Sequence, residues 1–250
     1  MVNLRILREV IMRGKFRRRQ LPHWDIPGAT YFITACLNKS LPAQGVVDLR
    51  NLEDRLRGQQ RPAAMSEKEW QNHKWKLIFR RCDEWLDTSP QVSHLRDERL
   101  ARVVQDSLYF FAGEHYDLIA YVIMPSHFHW LFRPSDVWVA ELGDLADERS
   151  PRERIMHSVQ SYSGRTCNGL LRETGPFWQT ESYDHVVRDE EELERIRDYI
   201  ELNPVHRGWV TCREQWRFSS AFDRNGLRQE ELSQSLTKEL LQKARDRPVG

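Results

Sequence analysis

The sequence predicts an α+β protein built on an antiparallel sheet, and three observations carry that prediction. A run rich in β-branched and aromatic residues, ATYFITACL at 29–37, is bounded by Gly28 and Asn38 and reads as a strand. Two further such runs, YDLIAYVIMP at 116–125 and HFHWLFRP at 127–134, meet at a Pro-Ser turn and read as a hairpin. Helix-period segments separate and follow these strands. Strands that are mostly consecutive and able to pair antiparallel argue for α+β and against a doubly wound parallel sheet.

Taken in order, residues 1–20 form a basic arm that could fold as a short helix. After the strand at 29–37, residues 41–66 carry Pro42, Gly45, Gly58, Pro62 and many charges, and read as a loop or weakly structured insertion. Residues 67–87 space Trp70, Trp75, Leu77, Ile78, Phe79, Cys82, Trp85 and Leu86 at helical intervals, predicting one or two amphipathic helices whose tryptophans form a core stripe. Residues 96–112 place Leu100, Val103, Val104, Ser107, Leu108 and Phe111 on one helical face, with Gly113 as the stop. Beyond the hairpin, 137–163 is largely helical with a break at Ser150-Pro151, and 175–187 is a loop ending in a short strand. Residues 189–202 are the clearest helix: Asp189 is the predicted N-cap, acids fill the first turn, and Pro204 is the predicted stop. Residues 227–245 read as one more amphipathic helix.

The 250 residues include nine Trp, ten Phe and seven Tyr, enough for a sizeable core and too many for a disordered chain. No apolar run approaches the length of a membrane span, and Arg5, Arg8 and Glu9 interrupt any signal-peptide-like segment. Cys36, Cys82, Cys167 and Cys212 lie too far apart for a metal knuckle, so the chain reads as reduced and cytoplasmic. Residues 1–20 hold Arg5, Arg8, Arg13, Lys15, Arg17, Arg18 and Arg19 against Glu9, a net +6 within a total of only +1. Such an arm suits phosphate-backbone binding, although charge alone favours a solvated tail.

Two pairs of residues carry possible chemistry. His127 and His129 sit two apart on a predicted strand, so both imidazoles project from one face while Phe128 enters the other layer. That is half of a divalent-metal site, although the bare pair reads better as two histidines on a sheet face. Tyr199 and Asn203 are four apart on the acidic helix and share a face. Asn offers a carbonyl oxygen to a metal, and Tyr offers a phenol that becomes a nucleophile once it loses its proton. A free tyrosine pKa near 10 means that attack at neutral pH needs a cation or base beside the oxygen. Unaided, core packing of Tyr199 and helix capping by Asn203 remain the better reading.

Five blocks in order change that balance: HWDIPGATYFIT at 23–34, YDLIAYVIMPSHFHWLF at 116–132, GPFWQTESYDHVVRD at 175–189, YIELNPVHRGWV at 199–210 and WRFSSA at 216–221. Together the chain resembles, over roughly residues 17–222, the REP-associated tyrosine transposases, a branch of the single-tyrosine HUH transposases. The resemblance implies a ferredoxin-like antiparallel sheet flanked by helices, carrying His127 and His129 as metal ligands. It implies Asn203 as the third ligand and Tyr199 as the nucleophile. It implies Mg²⁺ or Mn²⁺ as cofactor, and nicking and rejoining of single-stranded DNA near hairpins of short palindromic repeats through a 5′-phosphotyrosine link. Ser126 stands where the family commonly has Asn, and His206-Arg207 where it commonly has Lys-Ala.

The expected organisation is the arm at 1–20, one HUH-type domain at 21–225 with an insertion at about 41–95, and a helical tail at 226–250. The expected DNA contacts are Arg13, Lys15, Arg17, Arg18, Arg19, Trp178, Arg188, His206 and Arg207. Phe177 and Trp178 could stack bases or pack in the core, and Arg188 could meet phosphate or the acids that follow it. Tyr183 is the lesser candidate for nucleophile. The expected partner is single-stranded or hairpin DNA, with no membrane, and the protein is expected as a monomer or homodimer. Two rival functions remain: an idle DNA- or RNA-hairpin binder, and a metal-dependent phosphodiesterase that uses water.

Overall fold

Residues 15–18, 22–143, 149–180 and 182–225 are described by the structure, a computed structural model. A four-stranded antiparallel sheet forms its centre, in the order β4-β5-β3-β6, with β3 at Tyr31–Cys36, β4 at Tyr116–Ile123, β5 at His127–Pro134 and β6 at Tyr183–Val186. Helix α3 (Glu98–Tyr109) links β3 to β4, and helix α5 (Pro151–Leu171) links β5 to β6. This βαββαβ path with two split crossovers is the ferredoxin-like topology that the resemblance implies.

Strand alternation divides the core into two layers. On one face Ile33, Tyr121, Phe128, Trp130 and Phe132 pack against Leu100, Val104 and Leu108 of α3 and Ile155 and Val159 of α5. On the other face Phe32, Val122 and Leu131 meet Ile200 of helix α6 (Glu190–His206). A bulge between Leu118 and Ala120 switches the parity of β4, so that Tyr116 and Tyr121 both reach the first layer.

The helix starts follow their local chemistry. Ser150 and Glu153 close a reciprocal capping box with Pro151 in the first turn, so the predicted break is the start of α5. Asp189 accepts from the Glu192 N–H at 2.7 Å and caps α6 as expected. Pro204 does not stop α6, which runs to His206. So close to the end, a proline deletes a single ladder bond, and the turn still closes through Arg207 N–H to the Asn203 carbonyl at 3.2 Å. Gly208, at φ +69°, then turns the chain away.

The insertion is more ordered than its composition suggested. Helix α1 (Ala43–Gly58) and helix α2 (Glu67–Thr88) form an antiparallel-capable pair, where 41–66 reads as a loop by sequence. Its Pro and Gly residues are punctuation at helix ends: Pro42 is the N-cap of α1, and Gly58 is its last residue. Gly45 permits close approach of the two helices, since a Cβ there would lie 3.1 Å from the Trp85 ring. Trp70 is buried, in keeping with a core stripe, and Trp85 donates its indole N–H to Asp48 at 2.9 Å.

Within the basic arm, the possible helix gives way to a strand where the chain is described: β1 (Lys15–Arg18) pairs antiparallel with β2 (Pro22–Asp25). Ladder bonds with a neighbouring segment outweigh the weak local helix preference of so short a run. Arg13, Arg19 and the expected helix at 227–245 lie outside the described residues. Helix α4 (Asp136–Leu142), a short helix α7 (Ser220–Arg224) and two 3₁₀ turns (His94–Arg96 and Arg213–Gln215) complete the described elements. No described helix is long and apolar enough to cross a membrane.

Candidate functional site

The two histidines leave the sheet on its α6 face. His129 pairs in register with Thr34 of β3 and Val122 of β4, and His127 with Cys36. Both imidazoles are fully buried, and their Nε2 atoms approach to 3.2 Å. Each ring is fixed from behind. The Ser126 hydroxyl donates to the Leu86 carbonyl at 3.0 Å, so its oxygen is left to accept from His127 Nδ1 at 3.0 Å. That arrangement leaves the Nε2 lone pair of His127 facing inward. Thr34 Oγ1 lies 2.8 Å from Nδ1 of His129 and holds the second ring in place. Burial, then the neighbouring His129, lowers the His127 pKa to about 3, so this imidazole is neutral and ligand-competent at physiological pH.

Helix α6 brings the other expected residues to the same place. Asn203 is buried, with Nδ2 3.2 Å from His129 Nε2. Its Oδ1 has no hydrogen-bond partner, and a half-turn of the amide, which preserves its shape, would aim that oxygen at the imidazoles. Tyr199 stands one turn earlier, its ring 5.4 Å from that of His129. Burial, then the charge of a nearby carboxylate, raises its phenol pKa well above the ordinary value. The hydroxyl is therefore protonated at rest.

That carboxylate, Asp83 of α2, was not singled out by the sequence. It accepts the Tyr199 hydroxyl through Oδ2, while Oδ1 lies 3.2 Å from His129 Nε2 and 3.7 Å from His127 Nε2. Asp87, one turn on, lies 3.8 Å from His127 Nε2 and 2.6 Å from Arg207 Nη2. Burial pushes the Asp83 carboxyl up, but the two imidazoles and the Tyr199 hydroxyl outweigh it and hold it low. Burial and the charge of Asp83 push Asp87 the other way, against the pull of Arg207. The only available sequence signal for Asp83 was its i, i+4 spacing from Asp87 on a helix lined by Phe79 and Leu86.

The donor set fits a divalent cation. Asp87 Oδ1 and Asn203 Oδ1 are buried without hydrogen-bond partners, Asp83 Oδ1 faces only the two imidazoles, and the two Nε2 atoms face each other. Asp83, His127 and His129 can present ligand atoms within 4.8 Å of one another. Buried acceptors that lack donors are costly unless a cation serves them. Imidazole nitrogen with carboxylate and amide oxygen is a ligand mix that first-row and hard divalent ions accept.

The remaining expected residues divide. Trp178 is buried in the first core layer, its indole N–H donating to Ser163 Oγ at 3.0 Å, and Phe177 is buried beside it. Both are core packing, which corrects Trp178 as a base-stacking group. Arg188 holds Glu192 through its backbone N–H and its guanidinium, the second of its two readings. Arg207 is paired with Asp87, so it does not stand as an unengaged phosphate contact. His206 is exposed, and Lys15, Arg17 and Arg18 lie on β1. Tyr183 packs beside Cys36, Cys82 and Leu86, and its ring sits 5.6 Å from Phe79.

No family model matches the chain. The REP-associated tyrosine transposase of Escherichia coli K12 is 30% identical over 105 residues, covering 42% of this chain and 54% of that protein. A Haemophilus influenzae protein that bears the same name provisionally is 30% identical over 117 residues, covering 43% of this chain and 61% of its own. The chain thus spans between half and two thirds of the curated relatives it matches. Both support the family that the sequence blocks resemble. A solved structure described as a REP-associated tyrosine transposase bound to a REP hairpin aligns over 82% of this chain and 81% of its own, at 18% identity and a TM-score of 0.44.

Proposed function

We propose that this protein is a REP-associated tyrosine transposase that nicks and rejoins single-stranded or hairpin DNA through a 5′-phosphotyrosine link. One observation carries the reading: a tyrosine hydroxyl, two inward-facing imidazole nitrogens and an asparagine amide converge at one buried place. A sheet-face histidine pair that served only packing would have no reason to gather Asp83, Asp87 and Asn203, each with a buried oxygen that no donor outside the cluster serves.

His127, His129 and Asn203 would hold Mg²⁺ or Mn²⁺, with Asp83 Oδ1 facing the same place. When bound, the ion supplies positive charge that polarises a scissile phosphate. The work of the chain is to orient the imidazoles through Ser126 and Thr34, to keep Tyr199 beside them, and to pack Phe32 and Phe79 around them. The Tyr199 oxygen attacks phosphorus as its hydroxyl proton leaves, the bond from phosphorus to the 3′-oxygen breaks, and that oxygen takes up a proton; the released 3′-hydroxyl can later reverse the step without ATP. Because the phosphodiester must reach a nucleophile on a packed helix, an unpaired, flexible strand is the fitting substrate, and β1 with the rest of the basic arm would add phosphate contacts.

The test is incubation of the protein with single-stranded hairpin DNA and Mn²⁺, followed by denaturing electrophoresis. A covalent protein–DNA band that forms on hairpin DNA but not on blunt perfect duplex supports the reading. Cleavage without any covalent band would favour the water-using phosphodiesterase, and binding without cleavage the idle hairpin binder.

A further inference from the structure

We propose that Asp83, carried by the insertion helix α2, is a positioning residue that fixes the Tyr199 hydroxyl against the histidine pair, so that the insertion completes the site. This inference rests on the transposase reading above and adds to it an element outside the βαββαβ core.

The geometry of α2 supports this. Phe79, Asp83 and Asp87 recur every four residues and so line one face of the helix. Phe79 sets its ring 6.0 Å from Tyr199, 6.2 Å from His129 and 5.4 Å edge-on to Phe32. Asp83, 5% exposed, bridges two elements: Oδ2 takes the Tyr199 hydroxyl of α6, and Oδ1 faces the imidazoles of β5. Asp87 reaches Arg207 beyond the end of α6. The Leu86 carbonyl receives the Ser126 hydroxyl that orients His127. The nucleophile, both imidazoles and the turn after α6 are thereby tied to α2, on which the βαββαβ topology itself places no demand.

A buried ionised carboxylate is costly unless each oxygen has a role. Here one oxygen holds the nucleophile and the other faces the metal-binding nitrogens. The carboxylate therefore sets the separation between the attacking oxygen and the place where a phosphate would be activated, a quantity to which rates are steeply sensitive. The same geometry admits a contrary role, in which Asp83 occupies the phosphate's own place and must be displaced before catalysis. The two roles predict opposite signs for one substitution.

The test has two arms. First, thermal unfolding in EDTA is measured for the wild type, Asp83→Asn, Asp83→Ala, Tyr199→Phe and the double variants. Tyr199→Phe is expected to lower the wild-type Tm by about 2–5 °C and to have less than about 1 °C of effect in the Asp83→Ala background, since the hydroxyl's partner is then already gone. Asp83→Asn keeps the shape and one acceptor oxygen, and it answers the question if the alanine variant fails to fold. Second, the single-turnover rate of covalent-adduct formation on hairpin DNA at saturating Mn²⁺ should fall at least 100-fold in Asp83→Ala and less in Asp83→Asn, with DNA affinity unchanged. Additive Tm shifts, or an adduct rate equal to or above wild type, overturn the role of Asp83 while the transposase reading stands. Absence of an adduct in the wild type itself overturns that reading, and this inference with it.

Discussion

Replacing Glu192 with Gln perturbs the junction that anchors the nucleophile helix. Glu192 lies in the first turn of α6 and its side chain is 3% exposed. Its carboxylate accepts from Arg188 three times, through the backbone N–H at 3.0 Å, Nε at 2.8 Å and Nη2 at 2.6 Å. His185 Nε2 lies 3.2 Å away, and Lys76 of α2 reaches it at 3.5 Å. Burial pushes the carboxyl up, but His185 and Arg188 outweigh it and hold it far below the usual carboxylate range. Breaking a fully buried ion pair costs about 3–5 kcal/mol. Arg188 and Lys76 are 39% and 54% exposed and can rehydrate once the charge is removed, which lowers the cost. A loss of about 2–3 kcal/mol follows, or about 5–10 °C in Tm for a chain of this size. A depressed carboxylate contributes stability that is fully present above its unfolded pKa, near 4.3, and that is lost as pH falls toward the folded value. The gap between wild type and Glu192→Gln, followed by circular dichroism on heating, should therefore be widest at pH 7 and should shrink from about pH 5 to pH 3. A gap below about 1 °C at pH 7, or one that persists undiminished at pH 3, would refute this account of the junction.

Ser126→Ala removes the acceptor that fixes the His127 tautomer, and should weaken Mn²⁺ binding by about 10-fold in calorimetric titration. Gly45→Ala places a methyl 3.1 Å from the Trp85 ring, and should lower stability by about 1–2 kcal/mol in urea unfolding with no change in the slope. Deleting residues 5–19 should weaken DNA binding and flatten the dependence of log affinity on log salt. An unchanged slope would mark the arm as a solvated tail.

Most of the sheet was legible because its strands announce themselves locally. Alternation in His127–Pro134 sent Phe128, Trp130 and Phe132 to one layer and both histidines to the other, as period two requires. Asp189 capped α6 where an acid before acids should. Residues 41–66 read as a loop by sequence because Gly and Pro mark helix ends as readily as loops, and only packing against Trp85 distinguishes the two. Trp178 illustrates a second limit: an indole suits stacking on a base and filling a core equally well, and Ser163 was what decided. Asp83 and Asp87 are not legible in the sequence because their neighbours, His127, Tyr199 and Arg207, are distant in the chain. Nothing local separates a buried acid on an amphipathic helix from an exposed one. The His and Tyr-Asn pairs were found by short-range spacing, but spacing alone could not say that both would meet at a third, unannounced helix.

The most direct test of the central claim is peptide mapping by mass spectrometry of the covalent adduct formed on hairpin DNA with Mn²⁺. After nuclease and protease digestion, one peptide should carry a 5′-linked nucleotide phosphate on Tyr199, and Tyr199→Phe should yield no modified peptide. A nucleotide on Tyr183, or efficient cleavage by Tyr199→Phe, would contradict Tyr199 as the nucleophile.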